Sequence, residues 1–330
     1  MKKNLLFTLV LCGLVSLTSC SKGLVDNELG FKIVCPIGAP SLALASFATD
    51  SENCLISATP QTVIPGAFTE GKEFDAIIFD MTKGATFIEK KNANYKLVRT
   101  LTKGNAYIVS LGNDDNNKID EDDYVVSFGG QSIFNSLFTK MYGVTLDSNK
   151  NGVAAASLVA QTGVDEGNVA NYVILSEPYV TSVLKANSKA KIFASLVDDF
   201  EDYSKKQGYN GGKGFKGFPQ AGLFISAKLE QDEAKLKPFL ETIDSYCNEL
   251  ENNNGKAVIE RIKKDSSEGK YGDKKIAEVY GVNEEVLSSV LEGNKLAFNS
   301  GEYDVNKFFL EASLEGYNAF KESTFSTYYR

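Results

Sequence analysis

The sequence predicts an α/β protein made of two consecutive blocks of alternating strands and helices followed by a helical tail. Three observations lead there. Short β-type runs alternate with helix-type runs across residues 31–227, a spacing that gives βαβ units and a mostly parallel sheet covered on both faces. An acidic, turn-rich run at 112–123 divides that alternation into two blocks of the same rhythm. Beyond Asp232 the strand signals stop, and a tail without strands must pack against a sheet formed earlier. With 330 residues there is chain enough for two domains at roughly 100–200 residues each.

The first thirty or so residues stand apart from this pattern. A short basic start, Lys2 and Lys3, precedes an apolar stretch over 5–17 that is too short to span a bilayer by itself. Leu17, Thr18, Ser19 and Cys20 end it with small residues, as a secretory signal peptide does. A signal over 1–19 is therefore expected, with a polar tether over 20–30. Loss of Lys2 and Lys3 from the 35 basic residues would leave 33 against 43 acidic ones, a net charge of −10. Cys12 leaves with the signal, and Cys35, Cys54 and Cys247 remain, enough for one disulfide at most. Cys35 and Cys54 lie in apolar strand-like runs and read as small buried thiols.

In the first block, residues 31–35 read as a strand, 40–47 as a short helix with Pro40 in its first turn, and 54–59 as a second strand. A helix over 60–70, a strand over 74–79, a helix over 82–91 and strands over 95–101 and 106–111 come next. The acidic run at 112–123 lacks the glycine and flanking apolar helices of a calcium-binding loop and reads as a solvated linker. The second block has strands over 124–128, 172–175 and 191–197, with helices over 131–142, 152–161 and 177–186. Phe87, Phe134 and Phe138 fall at helical spacing on core faces. The glycine-rich 208–217 has no Ser or Thr after its Gly-Lys and reads as a flexible surface loop, not a phosphate loop. One more strand over 219–227 precedes helices at 232–250, 256–264, 274–280, 284–291 and 304–320.

Composition removes several function classes. The chain has no His, which excludes Ser-His-Asp and Cys-His nucleophile systems and every zinc site that needs an imidazole. A net charge of −8 without a basic run argues against nucleic acid as a partner. No cofactor or metal is expected.

Several segments carry a family resemblance. Leu17 to Cys20 is similar to the bacterial lipobox, which implies cleavage before Cys20 and a diacylglycerol on its sulfur. Residues 36–45, 74–85, 101–110 and 176–179, and more weakly 217–224, resemble in order the substrate-binding lipoproteins of ABC importers related to sulfonate, nitrate and thiamine-pyrimidine binders. The chain departs from that branch at Lys103, where an aromatic residue is common. The resemblance implies a two-lobed type II periplasmic-binding-protein fold, each lobe a mostly parallel sheet flanked by helices, with a helical C-terminal return to lobe I. Lobe I would comprise 31–108 plus 222–330, and lobe II 109–221. It also implies a small-molecule ligand such as a vitamin precursor or sulfonate, an ABC permease with its ATPase as partners, and a lipid-anchored monomer on the extracytoplasmic face.

The candidate site is set by where open α/β sheets bind ligands, at the carboxyl ends of strands where loops enter helices. Gly38, Ala39, Pro40 and Ser41 form such a loop: a ligand cradle with a hydroxyl beside free N–H groups, or a plain strand-to-helix turn. Asp80, Met81 and Thr82 repeat it, with Thr82 as an N-cap or ligand donor. Across the expected cleft lie Gly130, Gln131 and Ser132, then Ser176 and Glu177; Glu177 binds a cationic or amide group or only stabilises a first helical turn. Asn105 and Tyr107 fall near the first crossing between lobes and Gln220 near the second. A solute-binding protein without catalysis accounts for all of this. The alternatives are a surface adhesin or structural lipoprotein, and an enzyme on the same fold related to thiamine-pyrimidine synthesis.

Overall fold

The computed structural model describes residues 29–70, 73–113, 118–130 and 132–330. Its first half runs β1 (Ile33–Pro36), β2 (Cys54–Ser57), α1 (Pro60–Glu70), β3 (Ala76–Asp80), α2 (Met81–Lys91), β4 (Tyr95–Thr102), β5 (Ala106–Ser110), β6 (Val125–Phe128), α3 (Ile133–Tyr142), β7 (Ser148–Lys150) and α4 (Val153–Thr162). Next come β8 (Val164–Asp165), β9 (Asn168–Val169), β10 (Tyr172–Ser176), α5 (Tyr179–Ala186), β11 (Lys191–Ser195), α6 (Leu196–Lys206) and β12 (Ala221–Ser226). The tail holds α7 (Ala227–Gln231), α8 (Glu233–Glu251), α9 (Gly255–Ser267), α10 (Ile276–Tyr280), α11 (Glu284–Glu292) and α12 (Val305–Ala312). No helix among the described residues is long and apolar enough to cross a membrane.

Two five-stranded sheets result, in the orders β2-β1-β3-β12-β4 and β11-β5-β10-β6-β7. In the first, β1 pairs parallel with β2 and β3, and β12 runs antiparallel between β3 and β4. In the second, β6 pairs parallel with β7 and β10, and β5 runs antiparallel between β10 and β11. Each sheet is thus mostly parallel with a single reversed strand, and that strand is the one the chain reaches by crossing from the other sheet. The central strands β1, β3, β10 and β12 are apolar on both faces, as helix-covered sheets require. Ile33, Cys35, Ile78, Leu223 and Ile225 face α8, α9 and α11, while Val34, Ile77, Phe79 and Phe224 belong to an apolar cluster that continues through Phe134 and Phe138 into the second sheet. Val109, Val126 and Val173 pack on the far side, under α4 and α5. Cys35, Cys54 and Cys247 are free and buried, and burial raises the pKa of each thiol. Phe134 and Phe138 are core residues, and half-buried Phe87 stacks on Phe68.

Some expected elements are corrected by local chemistry. The run after Pro40 is a 3₁₀ turn, Ala39–Leu44. The strand expected to reach residue 197 stops at Ser195, whose hydroxyl accepts from Asp198 N and starts α6, a helix the sequence reading missed. The helix expected over 304–320 ends at Ala312, where Ser313 takes a left-handed conformation (φ 45°). The glycine-rich stretch is not a free loop. Phe215 and Phe218 are buried, Phe215 N donates to Ser204 Oγ at 2.9 Å, and at Gly217 (φ 77°) a Cβ would lie 2.1 Å from the Lys103 carbonyl oxygen. Glycine is required there by both backbone angle and space. In the tail, α12 packs Phe308 on Phe200 and Phe215, and the last residues rejoin β4 through a Leu97–Phe325 bridge.

One buried ion pair ties the tail to the first sheet. Arg99 of β4 holds Asp244 of α8 through Nε at 2.8 Å and Nη2 at 3.0 Å, and its Nη1 donates to the Tyr328 carbonyl. Removing one partner of such a pair leaves a desolvated charge, which costs about 3–5 kcal/mol. Asp244→Ala is therefore expected to lower the urea midpoint by the equivalent of about 3 kcal/mol. Lys237→Ala, which breaks only the exposed pair with Glu233, should change it by less than about 0.5 kcal/mol.

Candidate functional site

The chain passes between the sheets twice, where β4 leads into β5 and where residues 219–220 lead into β12. Asn105 and Gln220 join the two passages. Asn105 is 2% exposed, and its backbone N–H donates to Gln220 Oε1 at 3.0 Å, its carbonyl accepts from Glu177 N at 3.0 Å, and its Oδ1 accepts from Ala297 N at 2.5 Å. Gln220 also donates from its backbone to Thr102 O at 3.1 Å and accepts from Met81 N at 3.0 Å. Segments around residues 81, 105, 177, 220 and 297, far apart in sequence, are thereby held at one point.

Beside this junction lies a cleft of about 610 Å³ between the two sheets. On the side of the first sheet it is lined by 38–40, 59–62, Asp80 and Lys83, and on the other by Gly129, Ser132, 151–155, Ser176 and Tyr179. Asn105, Gln220 and Ala221 line it where the chain crosses. Residues at the starts of α1, α2 and α4, and the residue preceding α3, are all among these. First-turn N–H groups have no intrahelical partner, so such a cleft has donors and positive potential built into its backbone. Asp80 and Lys83 are the charged residues in the lining. The rest is largely apolar, including Phe79, Phe128, Phe134 and Val153.

The structure brings Gly38, Ala39, Pro40, Asp80, Asn105, Ser132, Ser176 and Gln220 together in that lining. The other candidates among the described residues do not line it, each for a visible reason. Ser41 turns back and donates its hydroxyl to Gly38 O at 2.7 Å. Met81 is fully buried in the core. Thr82 is not the cap of α2: Asp80 is, accepting Lys83 N at 3.0 Å, and Thr82 Oγ1 donates to Asp80 Oδ1 at 2.7 Å. Tyr107 spends its hydroxyl on Lys295 O at 3.1 Å, and burial, reinforced by Glu177 and Asp198, pushes its pKa up to about 12. Gly130 gives its N–H to Asn149 Oδ1, and its neighbour Gly129 lines the cleft instead. Gln131 and Cys20 lie outside the described residues. Glu177, 1% exposed, accepts from Thr181 N at 3.1 Å and Thr181 Oγ1 at 2.9 Å, so both its oxygens are bonded to the helix it precedes. Burial raises its pKa, opposed by those two bonds and by Lys295.

Sequence reasoning missed 59–62, Lys83, 151–155 and Tyr179. Two of these had a signal of the kind already used. Pro60 opens α1 as Pro40 opens its turn, and Gly152 precedes α4 at the end of β7. Lys83 had none, because a lysine one turn into a helix is ordinary.

No family model and no curated protein matches this sequence. Solved structures do match its fold. An ABC transporter from Parabacteroides distasonis is 16% identical, with a TM-score of 0.59 over 89% of this chain and 98% of that one. The periplasmic aliphatic sulphonate binding protein SsuA of Escherichia coli is 13% identical, with a TM-score of 0.56 over 86% of this chain and 84% of that one. The Candida albicans CA3427 gene product, described as having the generic periplasmic binding protein fold, is 12% identical, with a TM-score of 0.51 over 87% and 92%. The chain therefore has the periplasmic-binding-protein fold, two sheets flanked by helices with a cleft between.

Glu177 makes a pH prediction. Its folded pKa lies above the ordinary carboxylate value. The folded state therefore holds the proton more tightly than the unfolded chain, and this group's contribution to stability is fullest below the usual pKa of about 4 and declines as pH rises through the raised value. Glu177→Gln does not titrate. Its melting temperature minus that of the wild type should accordingly increase from about pH 4 to about pH 7; thermal melts in which this difference is flat or falls would contradict the assignment.

Proposed function

We propose that this protein is the solute-binding component of an ABC-type importer, held on the extracytoplasmic face of a membrane by a lipid on Cys20. It captures a small polar or heterocyclic molecule between its lobes and delivers it to the permease and ATPase without catalysing a reaction. The observation that carries the reading is the cleft of about 610 Å³ between two sheets, beside the adjacent crossings of the chain. That volume lies in the range of small-molecule sites, roughly 300–1,000 Å³. The similarity in fold to binding proteins of import systems supports it.

Lobe I, in this reading, contains the first sheet with α1, α2 and α7–α11, and lobe II the second sheet with α3–α6. The expected borders, 31–108 plus 222–330 against 109–221, are supported by β5 and β12, which begin at Ala106 and Ala221, close to the two borders. The segment from a signal at 1–19 through a tether at 20–30 lies almost wholly outside the described residues; the lipobox-like end at Cys20 supports the anchor.

Ligand capture raises thermal stability by mass action, by about 2.7 kcal/mol when ligand is at a hundred times its Kd. A panel of sulfonates, vitamin precursors, amino acids and nucleobases should include at least one compound that raises the melting temperature and also shrinks the radius of gyration in solution scattering. A panel with no effect on either would sink the transport reading. For the anchor, cells expressing the full chain should incorporate labelled palmitate into the protein and retain it in the membrane fraction. Cys20→Ala should lose both, and a membrane-bound, labelled variant would refute lipidation at that residue.

A further inference from the structure

Two cleft residues on opposite lobes are incompletely satisfied in a complementary way. Lys83 of α2 reaches across from the first lobe and donates from Nζ to the Gly129 carbonyl at 2.5 Å. An ammonium has three donors, and among the described residues no carboxylate forms a salt bridge with Lys83. Ser132, three residues beyond Gly129, precedes the ten-residue helix α3 and is 2% exposed, and its Oγ has no hydrogen-bond partner among the described residues. Both residues line the cleft. A Cβ placed on Gly129 would be 3.8 Å from Ser132 Cβ, so the residue that accepts from Lys83 adjoins the residue with the unpartnered hydroxyl.

Buried hydroxyls are rarely left without a partner. This one belongs to the residue adjoining the acceptor of the Lys83 ammonium, at the start of a helix whose first N–H groups have no intrahelical acceptor. An anionic oxygen satisfies all three at once, and ionised acceptors bind such donors about twice as strongly as neutral ones. Asp80 is the acid in the same lining; its Oδ1 is taken by the Thr82 hydroxyl and the Lys83 N–H, and its charge is offset by the α2 N-terminus. Around the pair the surface is apolar, with Phe79, Phe128 and Phe134.

Resting on the solute-binding reading above, we propose that Lys83 and Ser132 form one acid-group subsite shared between the lobes, and that the solute is a small organic anion with an apolar body. Lys83 keeps one donor on Gly129 and turns the others to the ligand, which couples anion binding to closure.

The test is thermal shift and calorimetry on the full chain with four probes of matched shape: pentanoate, pentanesulfonate, pentanol and pentylamine. At least one of the two acids should stabilise the wild type and the neutral and cationic probes should not. Lys83→Met and Ser132→Ala should each weaken acid binding by about tenfold or more, with Lys83→Arg retaining part of it. Stabilisation by pentanol or pentylamine equal to that by the acids, or unchanged acid affinity in both Lys83→Met and Ser132→Ala, overturns the subsite while leaving a solute-binding protein in place. No response to any of the four also overturns it, whereas the solute-binding reading falls only if the wider panel fails as well.

Discussion

Everything about this molecule depends on the two adjacent passages of chain between its sheets. A buried backbone that leaves one sheet for another loses its ladder partners and must find others, because unpaired buried N–H and C=O groups are costly. Asn105 solves that locally. Its N–H, its carbonyl and its side chain are bonded to Gln220, Glu177 and Ala297, which come from three separate parts of the chain. Gly217 lets the second passage lie directly on the first, with its Cα against the Lys103 carbonyl. The cleft lies beside these passages, between the two sheets.

That geometry also explains why the cleft is lined as it is. The strands that enter it, β1, β2, β3, β6, β7 and β10, end there, and several of the turns at those ends open a helix. The lining is consequently rich in helix starts and small loop residues and poor in long polar side chains. Specificity then falls to the few side chains that do reach in. Lys83, Asp80, Ser132 and Ser176 are polar residues of this kind, and among them Lys83 already spans from one lobe to the other.

Much of this was legible in the residues. The strand and helix alternation located most elements within a few positions, and a reading that puts ligands at strand ends and beside the crossings found eight lining residues, from Gly38 to Gln220. Its failures share a cause. Ser41, Thr82, Glu177 and Tyr107 have groups that a ligand can use, but each hydroxyl or carboxylate found a partner nearer at hand, in Gly38, Asp80, Thr181 and Lys295. A pattern of residue types says which groups can bond; it does not say which bonds are already made. Short polar side chains at helix starts are especially prone to this, because capping competes with recognition.

By itself the sequence determined the features that local and compositional chemistry control: an α/β chain in two blocks, a helix begun at Pro60, no imidazole chemistry, and an N-terminal stretch unlike the rest. Only the tertiary structure decided which strand of each sheet runs backwards, where the helical tail divides between the lobes, and that Lys83 meets Gly129 across 46 residues of chain. The physical reason is range. Propensity and capping act over a few residues and leave their mark in the sequence, whereas crossings, cleft and shared subsite are contacts between distant segments, set by burial and hydrogen-bond satisfaction over the whole fold.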